Sequence, residues 1–295
     1  MPTTTSVKQI GFKQAAQIAN MMGAARLAFI AEGLPIIFES AKSLMAASRA
    51  LEAFPRERSI LEGHAAEECA KILILVDLVR CPPKRSAALT GTMMRWFYSH
   101  LARIIYADAQ SWKPISFDQL QEYVDNERPT HYLEGGMSEY IMPNSALYQR
   151  EGALYADVMG NEDADPEWSA PLGSTRMFGW FEPHAWRLVD AMDALGFFTP
   201  DGVKILSDIW KGVYFETGVS RSDAEALCWS TALACDAAGL TQERLTADHA
   251  GIIRHGWQMP MYGIDFSPIE VTLDEMRARR ERAYWNEVGY ERGDY

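Results

Sequence analysis

Residues Ser59 to Arg80 read SILEGHAAEECAKILILVDLVR, and their pattern decides the fold class. With His64 set to zero and about 100° per residue, Glu67 falls at about −60°, Glu68 at about +40° and Lys71 at about −20°, so four ionisable side chains share one arc. The remaining positions are apolar, among them Ala65, Ala66, Cys69, Ile72, Leu73, Val76 and Val79, and the polar arc itself becomes Leu75 and Leu78 in the second half. A helix that is apolar all round is a buried helix. Ionisable groups on it must pair or face a cleft, because an unpaired buried charge is costly. Two readings stay open at this point: a Glu67/Lys71 pair on a solvated first turn, or a polar cluster at an active site or subunit interface.

Working outward, apolar residues recur at three- and four-residue spacing and strand-like alternation is scarce, so the chain is expected to be all-α. Helices are predicted near 6–31, 36–53, 59–80, 87–107, 116–126, 175–195, 200–217, 221–238 and 272–288, the third stopped by Pro82 and Pro83. Capping boxes are predicted at Ser6/Gln9, Ser59/Glu62, Ser116/Gln119 and Thr272/Glu275, and Thr199 before Pro200 marks another start. From Arg128 to Thr175 glycine and proline accumulate, and the acidic stretch Asn161 to Glu167 lacks the central glycine and terminal Glu of a calcium loop, which makes it a solvated loop. The division that follows is a helical domain over 1–172, including an irregular segment at 128–172, and a helical region over 173–295. In the latter Trp180, Trp186, Trp210 and Trp229 read as core, and no internal repeat is visible.

The length of 295 residues suits one large domain or two moderate ones, and 48% hydrophobic with 23% charged residues places the chain among globular proteins. A net charge of −12 argues against a protein coated for nonspecific polyanion binding. One window departs from that average. Leu78 to Ala107 contains no Asp or Glu but carries Arg80, Lys84, Arg85, Arg95 and Arg103. Cys69, Cys81, Cys228 and Cys235 form neither a disulfide framework nor a CxxC pair, which fits a reducing, cytoplasmic compartment. The apolar run Ile72 to Val76 is too short to cross a membrane, and Lys8, Lys13 and Arg26 interrupt the N-terminal stretch, so neither a membrane span nor a secretion signal is expected.

A second stretch, Met93 to Asp108, reads MMRWFYSHLARIIYAD. With Arg95 at zero on one continuous helix, Tyr106 falls at about +20°, Ser99 at about +40°, Arg103 at about +80° and His100 at about +140°, opposite Phe97, Leu101 and Ile104. Guanidinium groups grip phosphate in a fork, and imidazole moves a proton near neutral pH, so this face offers chemistry to a phosphodiester. A solvated helix face is the plainer reading. Other chemistries lack their residues: no pair of Glu-x-x-His motifs for a di-iron bundle, no G-x-S-x-G, no Walker or Rossmann glycine pattern. His249 and His255, with Asp248 nearby, read as a loop or helix end rather than a metal site.

These stretches together resemble the HEPN superfamily: a helix over Ile36 to Phe54, then HAAEECAKILILVDLVR over His64 to Arg80, then Arg95 and His100 separated by four residues. Within it the chain is most similar to the AbiV family of abortive-infection proteins. The likeness lies in the EE-x-A-K run from Glu67 to Lys71 and in an R...LY-x-D element (Arg150, Leu154, Tyr155, Asp157) ahead of Trp168, Ser169 and Pro171, and it covers roughly residues 36–172. It implies an antiparallel helical bundle, here with a helical C-terminal extension, that forms homodimers and cleaves RNA without metal or other cofactor in antiphage defence or a toxin system. His100 would be the general acid/base on the ribose 2′-hydroxyl and Arg95 would stabilise the pentacoordinate phosphate. Ser99, Arg103, Lys84 and Arg85 would contact RNA, and His64, Glu67, Glu68 and Lys71 would support them. Trp96 stands where many active members carry a polar residue, which leaves the alternative of a non-catalytic module binding a protein trigger or inhibitor.

Overall fold

A computed structural model describes residues 12–134, 140–159, 166–173, 182–215 and 220–291. Most of these residues are helical. The first half comprises α1 (Phe12–Ala19), α2 (Gly23–Ala50), α3 (Pro55–Arg80), α4 (Pro83–Tyr98), α5 (His100–Ala109) and α6 (Phe117–Glu127). Two short hairpins follow, β1 (His131–Glu134) with β2 (Tyr140–Pro143) and β3 (Asp157–Met159) with β4 (Glu167–Ser169), both antiparallel, with α7 (Ser145–Leu154) between them. The last elements are α8 (His184–Ala194), α9 (Pro200–Trp210), α10 (Arg221–Ala237), α11 (Ala247–Gly256) and α12 (Leu273–Glu291). The all-α expectation holds at the level of class. No helix among the described residues is long and apolar enough to cross a membrane.

α2 and α3 fold back on each other through a four-residue connection and form the spine. The sequence predicts a break before Ile36, but α2 runs through Pro35. Proline there removes a backbone donor at a cost of about 3 kcal/mol. Burial of Ile30, Leu34, Phe38 and Ala41 in the core outweighs it. α3 is buried on every side from Ile72 to Arg80, as an all-round apolar helix should be. Its start lies at Pro55, not Ser59, so the predicted Ser59/Glu62 box falls inside the helix and Glu62 pairs with Arg58 at 2.9 Å.

The regions divided at 172/173 share one hydrophobic core. Phe38 of α2 stacks on Trp186 of α8 with ring centroids 5.8 Å apart and meets Phe198 at 5.6 Å. Below this layer Asp77, buried in α3, accepts hydrogen bonds from Arg80 Nε and the Met261 amide, each at 2.8 Å, and from the Tyr106 hydroxyl. The Arg80 guanidinium lies 4.7 Å from the Trp210 ring and 4.0 Å from the Trp257 ring, and donates to the Gln258 carbonyl at 3.2 Å. One buried ion pair thus ties α3 to α5, α9 and the segment after α11. Trp186 and Trp210 are core as expected and Trp229 packs partly buried against it, whereas Trp180 lies outside the described residues.

The predicted 87–107 helix is two helices. Ser99 leaves the helical region at φ −89° and ψ 123°, and its hydroxyl accepts from the Ala102 amide at 3.4 Å, capping α5. The angular register that placed Arg95 and His100 on one helix face is corrected accordingly. α7 and α11 were not predicted. Asn144 caps α7 by accepting from the Ala146 amide at 2.9 Å, and Thr246 caps α11 with His249 as its reciprocal partner. The Ser6/Gln9 cap and most of the 161–167 stretch lie outside the described residues, while Thr272 and Glu275 form the expected box.

Candidate functional site

Because α5 starts afresh at Ser99, His100 and Arg103 lie three apart on one helix and both meet α3 at Glu67. Glu67 Oε2 is 2.8 Å from His100 Nδ1 and 2.7 Å from Arg103 Nη2, while Oε1 accepts from Arg150 Nε of α7 at 2.8 Å. Three elements therefore converge on one carboxylate, which is itself only 6% exposed. Burial alone would raise this carboxyl, but the hydrogen bonds from Arg150 and His100 and the Arg103 charge outweigh it and hold it below the usual carboxylate range. Glu67 is ionised at neutral pH.

His100 Nδ1 lies 2.8 Å from Glu67 Oε2, which only accepts, and 2.7 Å from Arg103 Nη2, which only donates; because Arg103 has the same ionised carboxylate to donate to, we assign the hydrogen to Nδ1, which donates it to Glu67. Arg103 Nη2 gives its own hydrogen to the same oxygen. His100 Nε2 then has no partner among the described residues, on a side chain 51% exposed. Arg103, at 9% exposure, is enclosed with Glu67, and Arg150, which also pairs with Glu151, is 17% exposed. The cluster can hold an imidazole in one orientation and stabilise its protonated form, while its two guanidiniums are occupied by the carboxylate.

The other residues singled out in the sequence lie apart from this contact. Arg95 ends α4, is exposed, and donates to Thr92 Oγ1 at 2.8 Å. Glu68 and Lys71 pair with each other, and Lys71 Nζ lies 5.6 Å from the Phe97 ring centroid. Lys84 is exposed, and Arg85 lies over Tyr262 at 5.8 Å. The basic window is not a surface patch: Arg80 is buried against Asp77 and Arg103 against Glu67. A carboxylate does stand beside His100 and Arg103, contrary to the single-helix projection, because it arrives from α3. Arg103 is corrected from an RNA contact to a support of Glu67. Arg150 belongs to the site although the sequence assigned it no role there; its signal was its place in the R...LY-x-D element.

Beside the cluster lies a cleft of about 430 Å³ between α3, α5, α7 and the start of α8, lined by Glu67, His64, Asp108, Arg150 and His184. His184 Nε2 donates to the Gly256 carbonyl at 2.7 Å; burial, aided by Lys113, Arg187 and Arg221, lowers its pKa and keeps it neutral. Asp108 has an open face yet is crowded by surrounding protein, and that desolvation together with Glu127 pushes its carboxyl up to about 6. Among the described residues no group of three His, Cys, Asp or Glu side chains could hold a metal ion. His249 meets Asp190 at 3.3 Å and His255 meets Glu225 at 3.5 Å, so the two face different carboxylates.

Fold and site define a mostly helical protein with a carboxylate, an imidazole and two guanidiniums joined at the edge of a cleft. Compared with protein-family models, with curated proteins and with solved structures, the chain finds no match.

Proposed function

We propose that this chain is a metal-independent endoribonuclease of the HEPN type, most like the AbiV family, acting in the cytoplasm in antiphage defence or a toxin system. The observation that carries the reading is His100: half-exposed, held at Nδ1 by the ionised Glu67, with no partner at Nε2 among the described residues. In the reaction Nε2 takes the proton of a ribose 2′-hydroxyl as that oxygen bonds to the adjacent phosphorus. The bond to the 5′-oxygen breaks, and the leaving oxygen takes a proton from the imidazolium of a second copy or from water. A 2′,3′-cyclic phosphate and a 5′-hydroxyl result. Glu67 stabilises the imidazolium formed in the first step, with Arg103 and Arg150 holding Glu67 in place. Arg95, exposed and bonded among the described residues to a threonine hydroxyl, is the guanidinium this reading gives to the phosphate. Both guanidiniums at the cluster are matched by Glu67, so the reading calls for a two-fold homodimer that brings two Arg95/His100 sets together.

A second reading, a non-catalytic module that binds a protein trigger or inhibitor, is favoured by a different observation. Trp168 is 82% exposed, Tyr155 61%, Ile141 55% and Val158 50%, all in the hairpin region rather than at the cluster. Large apolar side chains on show in a chain of net charge −12 suit a protein surface better than a polyanion. Incubating the purified chain with end-labelled RNA in EDTA separates the two: cyclic-phosphate ends appear under the first reading, and the RNA stays intact under the second. Light scattering at micromolar concentration adds a check, since a strict monomer contradicts the shared site.

A further inference from the structure

The cleft beside Glu67 holds a charge that the ribonuclease reading does not use. Asp108, on the last turn of α5, lines it, and its carboxylate makes no hydrogen bond or ion pair among the described residues. The other charges around the cleft are already matched: Glu62 by Arg58, and Glu67 by Arg103 and Arg150. Ile60, Ile104, Leu154 and Leu172 supply apolar wall. The volume of about 430 Å³ lies within the range of small-molecule sites, which are mostly apolar with a few placed polar groups.

We propose that this cleft binds a small organic cation, whose protonated amine or amidine pairs with Asp108 while an apolar or aromatic body lies against Ile60, Ile104, Leu154 and Leu172. The sign of the ligand follows from the neighbours. The charge nearest in effect to Asp108 is Glu127, another carboxylate, so the site attracts a cation and repels an anion. Crowding by the protein, and after it Glu127, pushes the Asp108 carboxyl up to about 6, and a bound ammonium would supply the counter-ion that no described residue gives it. Glu67 also borders the cleft through Arg150, so an occupant sits one ion pair away from His100. The site stands whether or not the chain cuts RNA.

The test is isothermal titration calorimetry on the full chain at neutral pH with three probes of one shape: phenethylamine, the neutral phenethyl alcohol and the anionic hydrocinnamate. The amine is expected to bind at least about tenfold more tightly than either analogue. Asp108→Asn should weaken the amine at least about tenfold and leave the alcohol unchanged, while Asp108→Glu, which keeps the charge, stays within about threefold of wild type. Thermal melts verify that each variant folds, and Asp108→Ser replaces the amide variant should it not. Equal affinity of the amine for wild type and Asp108→Asn, tighter binding of hydrocinnamate, or no heat from the amine at up to about 10 mM overturns the proposal.

Discussion

Glu67 Oε2 lies 2.8 Å from His100 Nδ1, joining the middle of α3 to the first residue of α5. That contact depends on the helix break at Ser99, and it leaves Nε2 as the imidazole nitrogen without a partner among the described residues. The two ends of the contact differ in burial, 6% exposed for Glu67 and 51% for His100, so substitutions at each should differ in kind.

Glu67→Gln is expected to cost on the order of 3 kcal/mol at pH 7, because Arg103 and Arg150 lose the charge that compensates them. The carboxyl is held below its unfolded value, so its stabilising contribution is fully present above the unfolded pKa of about 4.3 and is lost as pH falls through the folded value. Denaturant melts across pH should therefore show the gap between wild type and variant closing in acid.

Arg103→Ala should destabilise the fold by about 3 kcal/mol, as expected when one partner of an enclosed pair is removed. A surface phosphate contact would instead change RNA affinity with melting unaltered. Chemical denaturation of the purified variant decides between them.

Asp108→Asn is expected to raise the melting temperature at pH 7. A carboxyl pushed up to about 6 when folded binds more protons than the unfolded chain does, so wild-type stability falls as pH rises from about 4 towards 6. The variant should lack that part of the decline. Calorimetric melts at pH 4.5 and 7 measure it, and a lower melting temperature for the variant at both values contradicts it.

Arg80→Ala should be the most damaging of these changes. It leaves Asp77 buried with the Tyr106 hydroxyl and the Met261 amide but no countercharge, and it removes the guanidinium between Trp210 and Trp257. A loss of about 3–5 kcal/mol, read from denaturant unfolding, is expected.

The spine was legible because α3 carries its evidence locally: a run from Ile72 to Val79 that is apolar apart from Asp77 can only be buried. The break at Ser99 was not. No Gly or Pro interrupts WFYSHLARII, and a serine cap without Glu or Gln three residues on leaves the three-and-four spacing intact. Pro35 misled in the opposite direction, since tertiary burial carried α2 through a residue that normally ends a helix. His100 and Glu67 could each be singled out from sequence, but Arg150 reaches Glu67 across 83 positions, a juxtaposition that packing alone creates. The basic window failed for the same reason, because linear counting cannot see that Asp77 and Glu67 arrive from α3 to neutralise Arg80 and Arg103.

The central claim is that His100, held by Glu67, is the proton-transfer group for RNA cleavage, and the most direct test is the single-turnover cleavage rate of a labelled RNA in EDTA by wild type and His100→Ala. The account predicts wild-type cleavage that leaves cyclic-phosphate ends and a fall of about 10² or more in the variant, the range for a lost general acid/base. With the side chain half-exposed, its stability should move by less than about 1–2 kcal/mol. Wild type that leaves RNA intact, or a variant that cuts at the wild-type rate, contradicts it.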